Sequence, residues 1–248
     1  MIQVACVSDV HAPKNFEVFK EALKKLEEKE IDLFLFGGDM IYKGKIDEIQ
    51  KILALLENMN IKFPIYACFG NEEFDQLYDQ LRKISEGKII YLNDEAAIIQ
   101  RKEYTVGIIG TKGSLAEPTS WQIKNIPKIK EQYINRVSLI ERLASSQFNK
   151  EVNLRILLMH YAPTYLTLAG ENKMFYSRLG TPEYEKIILN PSFKFDVVFH
   201  GHAHNGLKFV LLKNTVPIYN VAIPLRKEIT VINLPRSPSQ GSLLSYLK

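Results

Sequence analysis

The chain has 248 residues, 46% hydrophobic and 24% charged, with a formal net charge of +4. That length and balance suit one large globular domain burying a full core. The charge is compatible with a phosphate-bearing partner but too small to argue for nucleic acid, and no apolar run approaches the roughly 18 residues of a membrane span.

Residues 2–7 form a continuous apolar run, read as a buried strand that starts at once with no signal peptide before it, and Asp9 and His11 follow directly. Pro13 and Asn15 open a helix with the apolar face Phe16, Phe19, Leu23 and Leu26, and Asn15 is predicted to cap it. Residues 33–36 read as a second strand ending in Gly37, Gly38 and Asp39, and Ile46, Ile49, Leu53 and Leu56 mark the next helix. A third strand over 65–69 runs into Gly70, Asn71, Glu72 and Glu73. Residues 73–86 are then predicted as a helix with Phe74, Leu77, Leu81 and Ile84 inward and Gly87 as its stop. Short strands follow at 89–92, 96–100 and 105–110, then a long polar helix over 129–146 carrying Arg136 and Arg142. Strands at 156–159 and 197–199 lead into His160 and into His200-Gly201-His202-Ala203-His204, and three more are expected at 208–212, 218–221 and 228–233. From Pro235 the composition turns to Pro, Ser and Gly, so a domain over 1–234 and a flexible tail over 235–248 are expected. Cys6 and Cys68 lie inside strand runs and read as buried free thiols, which suits a reducing cytoplasm. Alternating strands and helices, then a run of strands, predict an α/β fold with a parallel or mixed sheet facing a second sheet and helices outside.

All five histidines fall in three places, each at a predicted strand end or just past it. Residues that follow several strands can converge on one rim of an α/β sheet. Imidazole mixed with carboxylate, without a nearby thiolate, suits a catalytic divalent-metal site and not a closed structural zinc site. A lone histidine at a strand end is more often structural, and it is the repetition of the arrangement that argues for a metal.

Asp9-x-His11, Gly38-Asp39, Gly70-Asn71, His160 and Gly201-His202-x-His204 resemble, in order and approximate spacing, the motifs of the calcineurin-like metallophosphoesterases, over residues 1–234. The resemblance implies a four-layer α-β-β-α sandwich and two divalent metal ions, manganese, iron or zinc, acting on a phosphate-ester substrate. Carried over by position, it implies one metal on Asp9, His11, Asp39 and His204 and the other on Asp39, Asn71, His160 and His202, with Asp39 bridging. His200 matches no ligand and is expected to pack or to support its neighbours.

Two departures occur together. Many members of that family have a His where this chain has Glu72, which helps protonate the leaving group, and an Asp supporting that His where this chain has Tyr42. Glu72 beside two dications should stay ionised and make a poor acid; the alternative is that it is merely exposed at a helix start. The missing acid favours phosphodiesters, nucleotide or nucleic-acid substrates among them, or esters with good leaving groups. Asp39, Asn71, Glu72 and Lys43 are the candidate catalytic residues. Lys43 either touches the phosphate or is solvated. Tyr165, Tyr176 and Arg178, with Phe175 beside them, either bind substrate by stacking a base or pack as a lid. Trp121 lies in another loop that could approach the site. A different class of function also remains open, a metal-binding but catalytically weak interaction module of the same fold. In the tail, Gln240, Leu243, Tyr246 and Leu247 resemble the box by which repair proteins dock on a DNA sliding clamp; the alternative is a tail packed back on the domain.

Overall fold

The computed structural model describes residues 1–59, 61–148 and 151–235. Gln240, Leu243, Tyr246 and Leu247 of the expected clamp-docking tail lie outside the described residues. The first half alternates β1 (Ile2–Val7), α1 (Phe16–Lys24), β2 (Leu33–Gly37), α2 (Ile49–Asn58), β3 (Ile65–Cys68), α3 (Tyr78–Ile84) and β4 (Ile90–Tyr91). Strands β5 (Glu95–Arg101) and β6 (Tyr104–Thr111) follow, then α4 (Ser120–Asn125), α5 (Ile129–Gln147) and β7 (Leu154–Met159). The chain continues through α6 (Tyr184–Ile188), β8 (Val197–His200), β9 (Phe209–Leu212), β10 (Val216–Asn220), α7 (Ile223–Arg226) and β11 (Thr230–Leu234).

These strands make two mixed sheets, β11-β1-β2-β3-β4 and β5-β6-β7-β8-β10-β9. The continuous apolar runs are explained by burial on both faces, as expected where parallel strands are covered on either side. Alternate residues of β1 and β2, such as Val4, Cys6, Leu33 and Leu35, meet Ile156, Leu158 and Phe199 of the second sheet. The opposite face of the first sheet, with Val7, Phe34 and Phe36, packs on Phe19, Leu23, Ile52 and Leu81 of α1 to α3. The outer face of the second, with Leu157, Met159 and Val198, packs on Ile140 and Ala144 of α5 and Ile187 and Ile188 of α6. Four layers result, α-β-β-α. Cys6 and Cys68 are free and buried between the sheets. No described helix is long and apolar enough to cross a membrane.

Three local expectations are corrected. Asn15 stands at the N-cap position of α1, but its side chain makes no cap bond and instead donates to the Asp9 carbonyl at 3.1 Å. The helix expected over 73–86 is confined to α3, preceded by a 3₁₀ turn over Asp75–Leu77. The Glu73 carboxylate is drawn inward by backbone donors, which holds the preceding chain in a loop, and Phe74 is left 37% exposed instead of packing inward. For the same reason Glu72 is not at a helix start. The final strand begins at Thr230, two residues beyond the expected Glu228, because pairing with β1 runs from Cys6↔Thr230 to Ile2↔Leu234.

Candidate metal centre

Strands β1, β2 and β3 of one sheet and β7 and β8 of the other end near one another, and the loops that leave them carry the predicted residues. The loop after β1 is zipped to the loop after β2: the N–H groups of Asp9, His11 and Ala12 donate to the carbonyls of Gly38, Asp39 and Met40 at 3.0, 2.8 and 2.8 Å. Asp9, His11, Asp39 and His202 all have left-handed backbone, with φ of 59°, 45°, 53° and 68°. Such conformations cost non-glycine residues roughly 1–2 kcal/mol each and persist where surrounding bonds over-determine them. Two motif glycines are required by close approach: a Cβ at Gly70 would collide with the Asp39 carboxylate, and one at Gly201 with Asp9 Oδ2 and Ser8 Oγ.

The donor atoms gather in two groups, Asp9–His11–His204 and Asp39–His160–His202, each with ligand-capable atoms within 4.8 Å of one another. Asp9 Oδ1 lies 3.0 Å from His204 Nε2 and 3.5 Å from His11 Nε2. Asp39 Oδ2 faces both groups, 3.4 Å from His160 Nε2 and 3.8 Å from His11 Nε2. Asn71 Oδ1 is 2.9 Å from His160 Nε2. His200 is buried outside both groups, its Nδ1 2.8 Å from the Gly201 carbonyl.

The donor set fits cations. His160 Nδ1 donates to the Gly37 carbonyl at 2.9 Å, so its Nε2 carries a lone pair. That lone pair faces Asn71 Oδ1 and Asp39 Oδ2, which are acceptors as well. Three acceptors converge with no proton to share, and a cation resolves the conflict. Burial holds His160 down to about 4 and His202 to about 3, so both rings are neutral. Burial, with Glu73 and Asp9 adding repulsion, pushes the Asp39 carboxyl well above the usual carboxylate range. Burial acts upward on Asp9 too, but the hydrogen bonds from His11 and His204 outweigh it and hold Asp9 well below that range.

A model of the calcineurin-like phosphoesterase family matches residues 2–206. The chain belongs to this family. Calcineurin-like phosphoesterases depend on two metal ions, and the two His/Asp groups are this chain's candidates for holding them. No curated protein sequence matches the chain. Among solved structures it is similar to a dimetal phosphatase from Danio rerio, at 9% identity and a TM-score of 0.59, over 88% of this chain and 86% of the other. It is also similar to a 5'-nucleotidase precursor from Thermus thermophilus, at 16% identity and a TM-score of 0.52, over 82% of this chain and 42% of the other. A third similar structure is the NAD nucleotidase of Haemophilus influenzae, at 18% identity and a TM-score of 0.50, over 82% of this chain and 38% of the other. At these identities the likeness establishes the fold, and the chain spans less than half the length of either nucleotidase.

The remaining predicted residues separate. Lys43 and Glu72 line a cleft of about 530 Å³ that opens from Asn71 and His202, and Arg178 joins them from the insert. Tyr165 and Tyr176 pack against each other, ring centroids 5.7 Å apart, over Ala162, Leu168 and Ala203. Three residues that position the centre were not anticipated. Glu73 accepts from the N–H groups of Asp39, Ile41 and Gly70 at 2.8, 3.1 and 2.7 Å, tying the loop after β2 to the loop after β3. Asn220 donates to the Ala203 carbonyl at 2.7 Å and holds the His202–His204 loop. Asn15 holds the Asp9 carbonyl. The only signal for the first two is a polar residue at or beyond the end of an apolar strand.

Removing metal should loosen the fold as well as stop turnover, because it leaves Asp39 and Glu73 buried together without a counter-charge. Ions bound at about a hundredfold over their dissociation constant add roughly 3 kcal/mol. Calorimetry of chelated against metal-loaded protein should therefore show a fall in unfolding temperature of roughly 5–10 °C; equal temperatures would count against a loaded site.

Proposed function

We propose that this phosphoesterase hydrolyses phosphodiesters, or monoesters with good leaving groups, at a centre in which Asp9, His11 and His204 hold one divalent ion, Asn71, His160 and His202 the other, and Asp39 bridges. Bound there, two dications neutralise charge on the phosphoryl group and acidify water near neutral pH. The protein's own part is to fix that geometry: Gly37 orients His160, Ser8 and the His202 N–H hold Asp9 Oδ2 at 2.5 and 3.0 Å, and the Glu72 N–H holds Asp39 Oδ1 at 2.7 Å. Lys43, exposed on the loop after β2 with its Nζ 5.1 Å from the Tyr42 ring centroid, supplies a positive charge at the cleft.

The preference for esters that need no protonation is carried by Glu72. Its Oε2 accepts from the Lys43 N–H at 2.7 Å and so braces the loop, and a carboxylate stands where many members of the family have the imidazole acid. Tyr42, in turn, presents its ring to the His11 ring at 6.0 Å and offers no carboxylate to orient an acid. The test is hydrolysis of bis(p-nitrophenyl) phosphate with each divalent metal in turn. Turnover with manganese is expected; none with any metal, in protein shown to contain metal, would overturn the reading in favour of an interaction module.

Glu72→His should raise the rate on alkyl-like leaving groups by about tenfold or more while barely changing p-nitrophenyl esters, since only the former depend on protonation. Adding Tyr42→Asp should enlarge the gain by orienting the new imidazole. A leaving-group series on the single and double variants checks this, and equal effects on both ester classes would remove Glu72 from the leaving-group side.

A further inference from the structure

The cleft beside the metal centre has an unusual wall. Trp121, the chain's only tryptophan, is 63% exposed there, and Phe74 is 37% exposed on the same cleft. Neither ring has an aromatic or cationic partner among the described residues, whereas neighbouring rings such as Phe69, Tyr78 and Tyr91 stack on one another. Trp121 also lines a second, adjoining cleft of about 280 Å³ that reaches Asn71 and Phe74 as well, so the indole stands between two open spaces that both lead to the centre. Packing does not account for it. Helix α4 is held instead by a Thr119–Gln122 capping box and by Gln122 Nε2 donating to the Tyr161 hydroxyl at 3.4 Å.

Large apolar groups left facing water in a concave site mark a place where a ligand covers them. Two aromatic walls select for a flat ligand, because stacking on a π-face is tolerant of its edge chemistry and strong for any planar ring. Leu115 and Tyr161 close the apolar part of the same cleft, whereas Lys43 and Arg178 stand as cations on it and His202 belongs to the metal centre. The cleft thus combines two cations, the Glu72 carboxylate and a metal-centre histidine with aromatic walls, and its volume of about 530 Å³ falls in the range of small-molecule sites.

We propose that Trp121 and Phe74 form the base subsite of this enzyme, so that its substrates are nucleotide-type esters whose nucleobase stacks there while the phosphoryl group lies at the metal centre. The assignment rests on the reading of the centre given above. It also moves the stacking role from Tyr165 and Tyr176, which cover each other, to a tryptophan that is free to do it.

Trp121 is its own reporter. In metal-loaded protein, the non-hydrolysable AMP analogue in which a methylene replaces the 5' ester oxygen should quench the tryptophan emission saturably and bind at least about tenfold more tightly than ribose 5-phosphate. By calorimetry, Trp121→Ala and Phe74→Ala should each lose about tenfold in affinity for the nucleotide analogue, leave ribose 5-phosphate unchanged, and keep wild-type metal content. Trp121→Phe should retain most of the affinity. Equal affinities for the nucleotide analogue and ribose 5-phosphate would overturn the subsite, and so would tighter binding of octyl phosphate, which would make the wall a seat for an alkyl chain. Either result would leave metal-dependent hydrolysis of bis(p-nitrophenyl) phosphate untouched. Binding of all these ligands without any need for metal would overturn the reading of the centre, and the subsite with it.

Discussion

Asp39→Asn is expected to lower turnover by at least about three orders of magnitude and to deplete both metal positions. Asp39 Oδ2 is 3.4 Å from His160 Nε2 and 3.8 Å from His11 Nε2, so one oxygen serves both donor groups. The substitution keeps the size of the side chain but removes the charge that two cations share. Asp39 Oδ1 accepts from the Glu72 N–H at 2.7 Å, and the amide oxygen can keep that bond, so the fold should survive. Elemental analysis alongside kinetics separates the effects. His204→Ala and His202→Ala should each deplete one position and spare the other, because they belong to different groups. Wild-type metal stoichiometry in the Asp39 variant would contradict the bridging role.

Glu73→Ala should have the largest effect on stability of any single change near the centre. The side chain is fully buried, and its two oxygens take three backbone N–H donors from two loops. Truncation leaves those donors unpaired in the interior, at about 1–3 kcal/mol each. Water entering the space offsets part of this, so a net loss of about 3–5 kcal/mol is expected, a large share of the roughly 5–15 kcal/mol that holds a domain together. Glu73→Gln should be milder but still harmful, since its amide can turn only one oxygen toward the donors. Urea unfolding of the three proteins measures the order; an Ala variant within about 1 kcal/mol of wild type would mean that the brace carries little. Metal affinity should fall with stability, because the backbone at Asp39 and Gly70 is what Glu73 holds.

Much of the fold was legible because its signals are local. The parallel strands are buried on both faces, so they read as unbroken apolar runs at 2–7, 33–36, 156–159 and 197–199, and the long helix α5 was foreseen to within a residue. The histidines and carboxylates of the centre stood out because they follow those runs directly. The helix expected from Glu73 onward failed for a non-local reason. A carboxylate at a helix start is favourable in isolation, but the buried N–H groups of Asp39 and Ile41, from the loop after β2, compete for it together with that of nearby Gly70 and prevail. Asn15 was diverted in the same way, from capping its own helix to holding the Asp9 carbonyl.

By itself, then, the amino-acid sequence determined which residues could carry metal chemistry, the order of the strands and of the longer helices but not the short α4, α6 and α7, and the family to which the chain belongs. The tertiary structure alone decided how those residues are aimed. The left-handed backbone at Asp9, His11, Asp39 and His202 is unfavourable for each residue alone and exists because neighbouring loops bond across one another. Trp121 lies on helix α4 and not in the expected loop, and its meeting with Phe74 and Arg178 around one cleft joins three separate segments that no local pattern brings together. Periodicity and turn chemistry act over a few residues and can be read along the chain; hydrogen bonds and contacts between loops join residues far apart in it, and only folding brings those partners within reach.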